Sequence, residues 1–169
     1  MKSEFEEPTP GNAPTITLRP VGEDDARFLM EVYGSTRADE LNLTNWSHRE
    51  RQAFIEMQFA AQQQYYRSKF PEAQHSIILL NDRRAGRLYV ARMEDEIRIL
   101  DIAVAVEHRN AGIGSSILRE LMAEAAKSEK PLRIYVERFN PSLRLFERLG
   151  FSSVENTHSH FLMEWRPGA

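Results

Sequence analysis

A β-branched and aliphatic run, Ile97 to Val106, leads through a charged turn, Arg109-Asn110-Ala111-Gly112-Ile113-Gly114, into an apolar stripe at helical spacing. The stripe is Ile113, Ile117, Leu118, Leu121, Met122 and Ala125, one face of a 3.6-residue period. Strand, glycine turn and helix in that order restrict what the chain can be. The first turn of a helix presents backbone N–H groups without internal partners, and the macrodipole adds partial positive charge there. Gly112 and Gly114 carry no side chain to keep an anion away, and Arg109 supplies a fork of donors at the mouth. The pattern predicts an anion site, and phosphate is the natural occupant. It is not a dinucleotide fingerprint, because Ile117 stands where a third glycine would fall, and it is not a Walker loop, because no lysine follows the glycines.

The remaining elements fall in place around this unit. Met1 to Pro14 is acidic and rich in Pro and Gly, which predicts a disordered tail ahead of one domain over residues 15–169. Thr15 to Arg19 alternates as a short strand, and a helix carrying Phe28, Leu29 and Val32 is expected to stop at Gly34. Ser47-x-x-Glu50 matches a capping box for a helix from about His48 to Tyr66. His75 to Leu80, Gly86 to Met93 and the organising strand, joined by short turns, predict an antiparallel meander. Leu132 to Val136 is reached across the helix, so it should lie parallel to the organising strand. Asn140-Pro141 opens a short helix that Gly150 ends, and Phe151 to Glu155 and His160 to Trp165 are the last strands. The expected fold class is α/β (α+β): a mixed central sheet, antiparallel at first, with a parallel central strand pair, flanked by helices.

Composition excludes several classes. With 169 residues, 41% of them hydrophobic and 28% charged, the chain can bury one ordinary core. A net charge of −3 gives no general basic surface for nucleic acid. The absence of cysteine removes disulfides, thiolate metal sites and a cysteine nucleophile. No apolar run reaches membrane-spanning length and no secretory leader pattern is present, so a cytoplasmic location is expected. His158-x-His160 lacks a third ligand, so no metal site is expected.

Two motifs carry a family resemblance. Arg109-x-x-Gly112-x-Gly114 after an apolar strand resembles the acyl-CoA pyrophosphate loop of the GCN5-related N-acetyltransferase (GNAT) family. Asn140-Pro141-Ser142-Leu143-Arg144-Leu145-Phe146-Glu147-Arg148-Leu149-Gly150-Phe151 resembles that family's closing motif, an Asn-led helix ending in Leu-Gly-Phe. The resemblance spans about Thr15 to Trp165. It implies an acetyl-CoA-dependent N-acetyltransferase acting on a primary amine of a small molecule or peptide. The alternative on the same scaffold is a non-catalytic acyl-CoA binding or sensing module, and a homodimer is compatible with either. Acetyl-CoA is the implied co-substrate. The resemblance implies that backbone groups of Val104 and Val106 hold the thioester and pantetheine arm. It also implies that Arg109, Asn110, Ala111, Gly112, Ile113, Gly114 and Ser115 wrap the pyrophosphate, and that Asn140 and Phe146 meet the cofactor. Asn110 replaces a customary glycine, but Asn tolerates left-handed backbone. Arg37, Glu40, Trp46 and Gln58 fall in the early helical region that frames the acceptor, with Gln62 beside Gln58.

The chemistry asks for a base, because a lysine-like amine with a pKa near ~10.4 must lose a proton before it attacks. Asp101 is the one acid inside an otherwise apolar strand, either a base or a structurally paired carboxylate, and Glu137 at a strand end is the second candidate. The general acid has no assignment. Many family members place Tyr where this chain has Phe146, and Tyr89 and Tyr135 are the other hydroxyls on central strands.

Overall fold

The computed structural model describes residues 14–168, so the expected tail, apart from Pro14, lies outside the described residues. The strands are β1 (Ile16–Pro20), β2 (Gln74–Leu80), β3 (Arg83–Arg92), β4 (Ile97–Val104), β5 (Leu132–Glu137), β6 (Ser152–Asn156) and β7 (His160–Trp165). The helices are α1 (Ala26–Thr36), α2 (Ala38–Asn42), α3 (His48–Lys69), α4 (Ile113–Ser128) and α5 (Leu143–Arg148). One sheet of seven strands runs β1-β2-β3-β4-β5-β7-β6. Its pairs are antiparallel except β4–β5, which is parallel, giving the mixed architecture read from the sequence.

Local chemistry explains the boundaries. Asn81 and Asp82, at φ 49° and 66°, form the two-residue turn that closes the β2–β3 hairpin. Ser47 caps α3 by accepting the Glu50 N–H at 3.2 Å. Gly150, at φ 96°, ends the α5 segment as expected. Two expected boundaries move. α1 runs through Gly34 instead of stopping there, because the glycine lies against α3, where an added Cβ would stand 3.3 Å from Ile55 Cδ1. Close helix approach, not termination, is its purpose. α5 begins at Leu143 rather than at Asn140-Pro141. Asn140 forms a turn one step earlier, its Oδ1 accepting the Ser142 N–H at 2.9 Å and the Ser142 hydroxyl at 2.8 Å.

The sheet is covered on both faces. On one, Ile113, Ile117, Leu118, Leu121 and Ala125 of α4 pack with Ile97, Ile99, Ile134, Val136 and Met163 and with Phe146. Fully burying one such aliphatic side chain contributes roughly 1.5–3 kcal/mol. On the other, Leu29 and Tyr33 of α1 and Phe59 of α3 meet Ile77, and Val32 meets Ala103 and Ala105.

One irregularity sets up the site. Along β3–β4, Tyr89 is opposite Asp101 and Val90 is opposite Ile99, so Leu100 is an extra residue, a β-bulge. The parallel β4–β5 ladder ends at the same level, its last pair being Ile99 with Ile134. Beyond it β4 stays with β3 as far as Val104, and β5 stays with β7 as far as Glu137. The two central strands part from Leu100 and Tyr135 onward and leave a cleft in the middle of the sheet.

Candidate active site

The cleft has a free backbone edge. Ala105 N–H donates to Ala85 O at 2.7 Å, and strand alternation turns the main-chain groups of Ala103 and Ala105 toward β3. Those of Ile102 and Val104 therefore face the side that β5 has left. The close fit of β3 helps hold this edge: a Cβ on Gly86 would stand 2.2 Å from Ala103 O. Val106 follows in a short 3₁₀ turn, Val106–His108, with its side chain exposed.

At the far end of β4 the turn has the conformation an anion site needs. Asn110 adopts φ 62°, in line with its tolerance of left-handed backbone, and Gly112 adopts φ 79° as the N-cap of α4. No side chain caps the helix among the described residues, and the first α4 bond to Gly112 O comes from Ser116 N–H at 3.0 Å. The amides of Ile113, Gly114 and Ser115 precede that bond and fall in the unpaired first turn. An added Cβ on Gly112 would meet nothing within 4 Å, so the space beside the turn is open. Arg109 does not reach this turn. Its Nε donates to Val104 O at 3.2 Å and its Nη2 to Ser35 Oγ at 3.1 Å, folding the guanidinium back over β4.

Phe146, expected to meet the cofactor, is 2% exposed and packs edge-on against Phe151 at 5.3 Å between ring centroids. Its ring is core here, because the helical spacing that places it on α5 also turns it inward with Leu143 and Leu149 beside it. Asn140 stands at the head of α5, its carbonyl side engaged by Ser142 as described.

On the α1–α3 face, the structure brings together Arg37, Glu40 and Glu137. Arg37 Nη1 donates to Glu40 Oε1 at 3.0 Å and to Glu137 Oε1 at 3.1 Å, and its Nε donates to Tyr33 Oη at 3.4 Å. Burial alone would lower the guanidinium pKa, but Tyr33 and the two carboxylates outweigh it and hold it above its ordinary value. This group ties the α1–α2 junction to the end of β5. Trp46 and Gln58 are not drawn into it. Trp46 packs on Phe54 at 5.1 Å, and Gln58 makes no polar contact among the described residues.

Asp101 lies on the same face and is paired with an arginine the sequence reading passed over. Arg87 is 1% exposed; its Nε donates to Asp101 Oδ2 at 2.6 Å and its Nη2 to Gln62 Oε1 at 2.6 Å, and Phe59 lies 5.3 Å below it. The signal was available: Arg87 is the one charge inside the run Ala85 to Ala91, as Asp101 is the one charge inside the run Ile99 to Val106. Tyr66 was also missed. Its hydroxyl donates to the carbonyl of the bulged Leu100 at 2.8 Å, and burial and the neighbouring Asp101 charge push its pKa upward. Tyr89 is buried between Tyr66 and His75, stacked on the imidazole at 4.3 Å.

His75 gives this network a pH dependence. Burial, with the nearby Arg87 charge, pulls its pKa from 6.5 down to about 4, and its Nε2 is buried without a partner among the described residues. The unfolded chain therefore binds this proton more readily than the folded one, and stability is expected to fall as pH drops from about 6.5 toward about 4. Asp25, whose carboxyl Arg19 holds below the ordinary 3.8, loses its contribution only at lower pH. Thermal melts across that window should decline in the wild type and flatten in His75→Phe; an equal decline in both would assign the effect elsewhere.

Among the described residues no helix is long and apolar enough to cross a membrane, and no three His, Cys, Asp or Glu side chains are grouped to hold a metal ion. The sequence model of the acetyltransferase (GNAT) domain matches residues 71–153, from β2 through α5 into β6. No curated protein matches the chain. Among solved structures, it is similar to the PaiA N-acetyltransferase of Thermoplasma acidophilum in complex with coenzyme A, at 19% identity and TM-score 0.67, covering 90% of this chain and 99% of that one. It is similar to a GNAT family acetyltransferase of Elizabethkingia anophelis with acetyl-CoA bound, at 15% identity and TM-score 0.58, covering 89% and 97%. It is also similar to the ribosomal-protein-S18-alanine N-acetyltransferase of Escherichia coli, at 18% identity and TM-score 0.56, covering 92% and 96%. At these identities the likeness is one of fold. Together with the domain match across the glycine turn and the closing motif, it shows a GNAT acetyltransferase domain over residues 71–153 of a chain with the GNAT fold.

Proposed function

We propose that the protein transfers the acetyl group of acetyl-CoA to a primary amine of a small molecule or peptide, by direct attack with both substrates bound. The observation that carries this is the open, left-handed Gly112 turn capping α4 beside the cleft where β4 and β5 part. The amides of Ile113, Gly114 and Ser115 take the pyrophosphate of the co-substrate, with Asn110 and Ala111 shaping the turn. The free edge of β4 at Val104, continuing to Val106, pairs with the peptide-like pantetheine as an added strand would. Binding requires Arg109 to give up the Val104 carbonyl, after which its fork is available to phosphate. Asn140 approaches the same cleft from the head of α5.

The acceptor enters from the α1–α3 face, over Arg37, Glu40 and Glu137. Of the two candidate bases, Glu137 is the freer: its side chain is 41% exposed at the end of β5, whereas Asp101 is 29% exposed and committed to a buried arginine. Glu137 receives the amine proton directly or through one water. Positioning of the amine and backbone donors on the developing oxyanion supply the rest of the acceleration. The buried Phe146, which has no proton to donate, favours one competing reading, an acyl-CoA binding module without turnover.

A thiol-release assay with acetyl-CoA and a panel of primary amines separates the two. Amine-dependent release that falls at least tenfold in Glu137→Gln supports transfer with Glu137 as base, the low end of general-base effects. Calorimetric binding of CoA with no release for any amine supports the binding module.

A further inference from the structure

We propose that Tyr135 is the catalytic acid that protonates the departing thiolate, in place of the missing hydroxyl at Phe146; this rests on the transfer reading above. Tyr135 is the first residue of β5 beyond the last parallel pair, Ile99 with Ile134. It therefore stands at the point where the cleft opens. Its cross-strand partner is Leu162, and this pairing puts it on the same face as Glu137, two residues along β5. The Arg98 guanidinium carbon of β4 lies 5.0 Å from the ring centroid. Arg98 is itself fixed by Glu96, which accepts from its Nη2 at 2.9 Å and its Nε at 3.3 Å. The ring is thus braced by an arginine of β4, and the residue remains 45% exposed.

The other tyrosine hydroxyls around the cleft are taken or enclosed. The Tyr66 proton is given to the Leu100 carbonyl. Tyr89 is 5% exposed between Tyr66 and His75. The Tyr33 hydroxyl is buried and accepts from Arg37 Nε. Among the described tyrosines near the parting strands, Tyr135 alone combines exposure with a place at the opening. In the step, the amine nitrogen bonds to the acetyl carbon and the C–S bond breaks. Its electron pair goes to sulfur, which takes the Tyr135 hydroxyl proton and leaves as the free thiol. The amine proton goes to Glu137, and water returns a proton to the phenolate.

Tyr135→Phe keeps the ring and its contact with Arg98, so the variant should fold. With acetyl-CoA its kcat should drop about 10²-fold, within the range of general-acid effects, while KM for acetyl-CoA stays nearly constant. With phenyl thioacetate, whose aryl thiolate leaves without help, the wild-type to variant ratio of kcat/KM should shrink toward one. A structural role would depress both donors alike. An equal deficit on the two donors, or no deficit with acetyl-CoA, overturns the assignment while leaving the transfer reading intact. A wild type that binds CoA but releases no thiol from either donor overturns the transfer reading, and the assignment with it.

Discussion

Replacing Gly112 by Val is expected to lower CoA affinity by at least ~10³-fold, a change of roughly 4 kcal/mol, in a protein that still folds. The magnitude follows from the turn. Gly112 holds φ 79° as the N-cap of α4, a conformation that costs an L-residue about 1–2 kcal/mol, and a β-branched one at the high end. A Cβ there meets no protein atom within 4 Å, so the fold suffers no clash, and a penalty of this size leaves a domain of ordinary stability intact. What the new side chain occupies is the open space through which phosphate reaches the α4 amides. Hydrogen bonds to charged groups are worth about 1.5–3 kcal/mol each, so losing two of them is enough. Gly112→Asn separates the two contributions. Asn tolerates the left-handed region and is unbranched at Cβ, so it should retain the turn and lose affinity through crowding alone. Calorimetry that finds unchanged CoA affinity in a folded Gly112→Val protein removes the turn from the binding site.

That turn was legible because its signals are local. Two glycines after an aliphatic run and before a stripe at helical spacing specify strand, left-handed turn and helix within about twenty residues of chain. The β2–β3–β4 meander and the parallel placing of β5 followed from turn lengths and one crossover, whereas the place of β7 between β5 and β6 did not. The cleft itself was not legible as geometry. It depends on a single inserted residue, Leu100, in a strand whose composition is uniform on either side, and a one-residue bulge changes register without changing any local pattern. Phe146 shows the complementary limit. Its place in the closing motif was readable, but whether its ring faces cofactor or core depends on how α5 is rotated against Phe151, which is a tertiary fact. Gly34 misled for the same reason, since a glycine that ends a helix and one that admits a neighbouring helix look identical until Ile55 is seen beside it. The gathering of Arg37, Glu40 and Glu137 joins residues 100 positions apart, and the sequence offered only their charge types.

Asp101→Ala is expected to destabilise the protein by about 3–5 kcal/mol, because it leaves the Arg87 guanidinium buried without its carboxylate. Arg87 is 1% exposed, and its remaining polar contacts are Gln62 at 2.6 Å and a long one to Gln63 at 3.5 Å, neither of which carries a charge. Removing the arginine as well should recover most of the loss, since replacing both partners of a buried pair with apolar groups is often near neutral. Urea unfolding of Asp101→Ala, Arg87→Met and the double variant therefore forms a cycle whose coupling measures the pair. Asp101→Asn decides whether the carboxylate also works as a base. Asn can still accept from Arg87 Nε, so the shape of the network survives while the proton acceptor is lost. With Glu137 as the base, Asp101→Asn should lower the melting temperature and leave the rate of the folded fraction nearly intact at every pH. If Asp101 takes the amine proton, the rate should instead collapse at moderate pH and recover as pH rises, because more acceptor is then already deprotonated. A collapse that alkaline pH rescues, in a variant whose stability is unchanged, would return the base to Asp101 and make the Arg87 contact the device that orients it.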